Sequence, residues 1–181
     1  MKKKRMITVF GSGHMEENFP EYQRAVLLGR VLAENGFSIC TGGYGGIMEA
    51  APRGAKQVGG KTFAVVAKEL GVVANRWIDQ VRIEKNWRDR LFRLISMGDA
   101  FVVFDGGTGT FTELFVVWEM LNKKLLHKPI IIHGPEMIRW VRRLKRQRLI
   151  LFNRHLSFAA SPAEVVDSLE ELLENPGTKD S

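Results

Sequence analysis

Apolar, β-branched runs alternate with amphipathic helical patterns along this chain, and that alternation limits its possible folds more than any other feature. Runs with strand character occupy residues 6–10, 37–41, 62–66, 100–104 and 130–133. Helical periodicity fills 20–35, 46–58, 86–97, 110–123, 137–148 and 162–174. Strands separated by helices are joined by crossovers, so they run parallel and the helices cover both faces. Right-handed crossovers then give an α/β fold, a Rossmann-like doubly wound parallel sheet. The 181 residues suit a single nucleotide-binding domain over 1–174, followed by a polar, disordered tail over 175–181.

In such a sheet, ligands bind beyond the carboxyl ends of the strands, where strand order reverses. Three glycine-bearing turns follow strand candidates and should share that edge: Gly11-Ser12-Gly13, Gly42-Gly43-Tyr44-Gly45-Gly46 and Gly106-Gly107-Thr108-Gly109. Glycines let backbone N–H groups approach a phosphate, and a helix N-terminus favours negative charge. The expected phosphate or nucleotide contacts are Gly11, Ser12, Gly43, Gly45, Gly46, Gly106, Gly107, Thr108, Gly109 and Thr110. The first turn, Gly11-Ser12-Gly13-His14-Met15-Glu16, lacks the third glycine of a dinucleotide fingerprint, and no Gly-Lys-Ser/Thr P-loop occurs. A mononucleotide-sized phosphate compound fits better than NAD or ATP. Tyr44 and Met48 stand where they could wall a base pocket, with a core role the alternative for Met48.

The third turn also carries a carboxylate, Glu113. Thr110-Phe111-Thr112-Glu113 has the spacing of a capping box, in which the glutamate only closes the helix start. A helix N-terminus also lowers the pKa of a first-turn carboxylate, keeping it ionised to stabilise a cation or take a proton from water. Spacing leaves both readings open. In the 86–97 helix, Trp87, Leu91, Leu94 and Ile95 form the stripe expected to be buried, and Arg90 falls on its shoulder with Asn86 and Arg93. The fork of an arginine there suits a phosphate or ribose hydroxyls; a snorkelling surface arginine is the alternative.

Composition narrows the function classes. With 45% hydrophobic and 26% charged residues the chain reads as an ordinary soluble protein. No apolar run is long enough for a membrane span, and no signal-peptide pattern precedes residue 7. A single cysteine, Cys40, fits a reducing compartment and reads as a small core residue, so a cytoplasmic protein is expected. His14, His127, His133 and His155 lack metal-ligand spacing, and neither a metal nor a cofactor is expected. The net charge of +7 is accounted for by Arg139, Arg142, Arg143, Lys145, Arg146, Arg148 and Arg154, with no acid among them. These read as a solvated helix face with Trp140, Val141 and Leu144 packing inward. A nucleic-acid partner is not expected, because no recognition motif or interleaved aromatics accompany the charge.

Together the motifs resemble the LOG family of Rossmann-fold proteins, which includes cytokinin riboside 5'-monophosphate phosphoribohydrolases and carries the older label "possible lysine decarboxylase". No pyridoxal-binding lysine motif supports that label. The family's P-G-G-x-G-T-x-x-E is similar to Asp105-Gly106-Gly107-Thr108-Gly109-Thr110-Phe111-Thr112-Glu113. Its second glycine loop is similar to Gly42-Gly43-Tyr44-Gly45-Gly46-Ile47-Met48, and its first turn to Gly11-Ser12-Gly13 with Pro20-Glu21-Tyr22. Lys128-Pro129 stands where the family has Lys-Pro before the fifth strand. The resemblance runs from about Met6 to Ile132. It implies a catalytic pair, Glu113 and Arg90, and hydrolysis of the N-glycosidic bond of a nucleoside 5'-monophosphate without metal or redox cofactor. It also implies a homodimer or higher homo-oligomer. Asp105 replaces the motif's proline, and Arg90-Leu91-Phe92-Arg93-Leu94 lacks the lysine and methionine of Arg-Lys-x-x-Met. The second loop is closer to a sister branch of molybdenum cofactor carrier proteins, which leaves a non-catalytic carrier of a phosphorylated ligand as the alternative.

Overall fold

The computed structural model describes residues 5–149 and 155–174. In chain order its elements are β1 (Met6–Phe10), α1 (Pro20–Glu34), β2 (Ser38–Thr41), α2 (Ile47–Gln57), β3 (Thr62–Ala67), β4 (Gln80–Glu84) and α3 (Trp87–Met97). They continue with β5 (Ala100–Val103), α4 (Thr108–Asn122), β6 (Ile130–Ile132), α5 (Pro135–Arg146), β7 (Leu156–Phe158) and α6 (Pro162–Glu174). The strands make one parallel sheet in the order β4-β3-β2-β1-β5-β6-β7. This is the Rossmann-like α/β fold expected from the alternation of patterns. The expected tail over 175–181 lies outside the described residues.

The chain builds outward from β1 to β4, then returns to pair β5 on the other side of β1, with Ile7 opposite Ala100 and Phe10 opposite Val103. Strand order therefore reverses between β1 and β5. The connections leave those two strands toward opposite faces, which opens a crevice at their carboxyl ends. Ile7, Val9, Ile39, Val102 and Ile131 point to the face covered by α1, α2 and α6. Phe10, Val65, Phe101, Val103, Ile130 and Ile132 point to the face covered by α3, α4 and α5. Burial on both faces is why the central strands are continuous apolar runs.

The two strands that the sequence pattern does not reveal, β4 and β7, are the edges of the sheet. β4 reads Gln-Val-Arg-Ile-Glu, with Val81 and Ile83 exposed. Charged, half-exposed strands blunt an edge against unwanted pairing and leave no apolar run to detect. β7 is only three residues long. Trp87 corrects a second expectation: it is 42% exposed, not part of the buried stripe of α3. It is the first residue of that helix, and its N–H donates to the Glu69 carboxylate at 2.9 Å, beyond the covered part of the sheet. Helix α5 starts two residues before the expected Met137. The Asp105 carboxylate accepts from the Met137 N–H at 2.7 Å and caps that helix start from across the sheet edge.

Helices α1 and α2 touch backbone to backbone. A Cβ at Gly29 would overlap the carbonyl of Ala51, and one at Gly54 the carbonyl of Val26. This contact holds the start of α2, and with it the second glycine turn, close over the first. Gly54→Ala is therefore expected to lower the melting temperature, although alanine favours an isolated helix by about 1 kcal/mol. Overpacking at such a crossing costs about 1–3 kcal/mol. Thermal unfolding followed by circular dichroism checks this, and a rise in melting temperature would contradict the backbone contact.

Candidate functional site

The three glycine turns form one assembly at the carboxyl edge. The Ser12 N–H donates to the Asp105 carbonyl at 3.1 Å, and the Ser12 carbonyl accepts from the Ile47 N–H at 2.8 Å. One residue thus joins the turn after β1 to the turn after β5 and to the start of α2. Several glycines are needed for this packing. Gly46 has φ +63°, and a Cβ there would overlap the Ser12 carbonyl; a Cβ at Gly106 would overlap the Thr110 hydroxyl. A Cβ at Gly11 would press on Ile47, and one at Gly45 would lie 3.2 Å from the Gly13 carbonyl. Gly43, with φ +81°, is wedged against Ala64 of β3.

Gly107 and Gly109 differ from these, since nothing lies within 4 Å of where their Cβ atoms would be. They border open space at the start of α4. Phe111 donates the first helical hydrogen bond, to the Gly107 carbonyl at 3.1 Å. The N–H groups of Thr108, Gly109 and Thr110 precede it and are free to meet an anion. The Ser12 hydroxyl accepts from the His14 N–H at 3.2 Å, beside the same opening.

The capping-box reading of Glu113 is corrected by where α4 begins. The helix starts at Thr108 rather than Thr110, and its N-cap is Gly107, which makes no side-chain cap bond. Thr110 is thus already inside the first turn, and Glu113 lies in the second. The expected lowering of its pKa is also overturned. Burial pushes the Glu113 carboxyl up from 4.5 to about 7, with the positive charge of Arg90 opposing that rise. The helix-terminus field fades beyond the first turn, so desolvation dominates.

Arg90 is 5% exposed, which removes the snorkelling alternative. Its Nε donates to the Val65 carbonyl of β3 at 2.9 Å, and its Nη2 lies 3.7 Å from the Met48 sulfur. The guanidinium carbon sits 5.4 Å from the centre of the Tyr44 ring. Gly42 makes room for this, because a Cβ there would overlap the guanidinium. No carboxylate of the described residues forms an ion pair with Arg90. Its charge still reaches Glu113 and Cys40, a buried thiol pushed up to about 12 by burial. The helix neighbours expected on its flank go elsewhere. Arg93 pairs with Glu84 at 2.8 Å, and the Asn86 side chain caps α3 by accepting from the Asp89 N–H at 2.8 Å.

Three supporting residues escaped the sequence reading: Pro52, Thr41 and Asn75. Pro52 lies inside α2 and has no N–H, so the Met48 carbonyl one turn earlier lacks its helical partner. The Thr41 hydroxyl donates to that carbonyl at 2.9 Å and the Asn75 side-chain amide at 3.2 Å. Asn75 also donates to the carbonyls of Gly43 and Tyr44 at 3.1 and 2.9 Å. A proline in the middle of a helical pattern was the available signal of a freed carbonyl; nothing local marks Asn75 as its partner.

Other candidates take structural places. Met137 and Val141 face the core, while Arg139, Arg142, Arg143 and Arg146 are exposed, as a solvated helix face requires; Arg154 lies outside the described residues. His133 is buried, its Nδ1 2.9 Å from the Ala159 carbonyl. Among the described residues no helix is long and apolar enough to cross a membrane.

With this geometry in hand, known proteins place the chain. The sequence model of the SLOG cluster4 family matches residues 4–154. An uncharacterised protein of Archaeoglobus fulgidus is 31% identical over 134 residues, covering 73% of this chain and 86% of that one. A cytokinin riboside 5'-monophosphate phosphoribohydrolase of Mycobacterium tuberculosis is 30% identical over 114 residues, 61% of this chain and 61% of that enzyme's length. Among solved structures, the molybdenum cofactor binding protein of Rippkaea orientalis superposes with a TM-score of 0.77 at 21% identity, covering 96% of this chain and 99% of that one. That likeness shows the fold. The match across most of its length shows that the chain belongs to the SLOG cluster4 family.

Proposed function

We propose that the protein hydrolyses the N-glycosidic bond of a nucleoside 5'-monophosphate, releasing the free base and ribose 5-phosphate. The observation that carries this reading is Glu113, a carboxyl raised to about 7, within electrostatic reach of a buried arginine that forms no ion pair with a carboxylate of the described residues, on the helix whose N-terminus borders the open turn. The phosphoribohydrolase relatives support it further. The free N–H groups of Thr108, Gly109 and Thr110 hold the phosphate, with the Ser12 hydroxyl beside them. Arg90 orients the ribose phosphate and fixes the sugar's distance from Glu113. As the bond from C1' to the base breaks, its electrons leave with the base and the sugar acquires oxocarbenium character, which an ionised Glu113 stabilises. Water then bonds to C1' and gives a proton to Glu113, and that proton passes through solvent to the departing base, which returns Glu113 to its carboxylate form.

A second reading, a binding protein for molybdenum cofactor or another phosphorylated ligand, is favoured by one specific observation. Leu91 and Leu94, which replace the lysine and methionine of the resembled signature, are buried in the core of α3. Arg90 thus has no second cation from those positions. Co-purification of a pterin together with unchanged nucleotides would select this reading. In either case exposed Trp87, Phe92 and Phe115 support a homo-oligomer.

The ionisation of Glu113 gives two tests. If the carboxylate is the working form, kcat/KM for AMP rises tenfold per pH unit up to about 7 and is level above it. A profile that falls through that region would assign Glu113 the opposite, acid role. Glu113→Gln should lower kcat by about 100- to 10,000-fold while ribose 5-phosphate still binds.

Stability should move the other way. Because the folded pKa is raised, the native state holds a proton between pH 4.5 and about 7 that the unfolded chain has released, so stability falls as pH rises through that window. Above it, Glu113→Gln should be more stable than the wild type by about 1–3 kcal/mol. The difference should vanish below pH 4.5, where the carboxyl is neutral in both states. Chemical denaturation at pH values on either side of the window checks this.

A further inference from the structure

Tyr44 is not among the expected phosphate contacts, yet it is the residue on which the arginine rests. We propose that Tyr44 is the positioning residue for Arg90, held in place by residues 68–79, the connection between β3 and β4. The inference takes its effect on turnover from the function proposed above; the placing of the guanidinium stands apart from that reading.

An arginine side chain has several rotatable bonds, and one hydrogen bond to Nε leaves its plane free to turn. Nε is fixed by the Val65 carbonyl, but the second contact, the Met48 sulfur, is a weak acceptor on a flexible thioether. The flat face of Tyr44 at 5.4 Å supplies the missing restraint, since a guanidinium stacks on an aromatic ring in a limited range of planes. The remaining guanidinium hydrogens make no hydrogen bond among the described residues, so a plane fixed in advance directs them without rearrangement.

The ring is itself pinned from both ends. Its hydroxyl donates to the Gly71 carbonyl at 2.7 Å and accepts from the Ala67 N–H at 3.2 Å. Its backbone carbonyl accepts from the Asn75 side chain at 2.9 Å, and the Asn75 N–H donates to the Gly43 carbonyl at 2.8 Å. All these partners lie at the end of β3 or in the segment that follows it. That segment contains no helix, and besides these bonds it is tied down by its own turns and by the bonds of Trp77 and Asp79 to Thr62. It lies as a strap across the second glycine turn and holds the Tyr44 ring against Arg90.

The test follows the Arg90 Nε–H signal by nitrogen-15 NMR, assigned through Arg90→Lys, beside ribose 5-phosphate affinity by calorimetry. Tyr44→Phe, which keeps the ring and the Asn75 bonds but loses both hydroxyl bonds, should speed exchange and weaken binding less than removal of the ring does. Tyr44→Leu should speed exchange and weaken binding by about tenfold, the order of a desolvated cation–π contact. Should Tyr44→Leu fail to fold, Asn75→Ala decides, because loosening the strap should reproduce the same faster exchange. An unchanged Arg90 signal in the folded Tyr44→Leu or Asn75→Ala protein overturns the proposal, as does equal loss of affinity in the phenylalanine and leucine variants. Base release from AMP is read separately. A wild type that releases none refutes the hydrolase reading, while the NMR and binding results still decide the role of Tyr44.

Discussion

The burial of the Arg90 guanidinium without an ion pair to any carboxylate of the described residues is the constraint on which the rest of this site depends. A buried charge must be compensated, and here carbonyl, sulfur and aromatic face do so in place of an ion pair. Each compensating group places a demand on the sequence. Gly42 must lack a Cβ, Met48 must point its sulfur inward from α2, and Tyr44 must be pinned above the guanidinium. The proline inside α2 extends the chain of demands, since the Met48 carbonyl it frees is met by Thr41 and Asn75. Arginine, second glycine turn and the segment over it are thus joined by direct contacts.

The opposite wall of the crevice answers to a different requirement, room for an anion. Gly11, Gly46 and Gly106 bring three chain segments into contact, whereas Gly107 and Gly109 leave space. The same residue type closes the assembly at one place and opens it at another. On α4, within reach of the charge on Arg90, is Glu113, whose carboxyl is raised to about 7 by burial and held from rising further by Arg90. A carboxylate kept in an unfavourable environment lowers stability at neutral pH, and a group tuned near the working pH is suited to proton transfer.

Much of this was legible in the sequence, and the exceptions have physical causes. The central strands were readable because both their faces are buried, and the glycine turns because their spacing marks strand ends. The edge strands β4 and β7 were not, because β4 is charged and exposed and β7 is three residues with a serine at its centre, so neither makes a continuous apolar run. Glu113 and Arg90 were found as candidates, but their states were not. The helix start at Thr108 and the burial of Arg90 depend on how β5, α3 and β3 meet, which no local pattern encodes. Asn75 was invisible for the same reason, since its partners lie in the second glycine turn and at the start of α2, 27 or more residues away in the chain.

The central claim is that the Glu113 and Arg90 pair breaks the bond between base and sugar of a nucleoside monophosphate. Proton NMR of AMP incubated with the purified protein tests it most directly, by following the anomeric and base signals together. The account predicts that free adenine and ribose 5-phosphate appear in equal amounts, and that neither appears with Glu113→Gln. AMP and other nucleoside monophosphates that stay intact while ribose 5-phosphate binds the same site would contradict it.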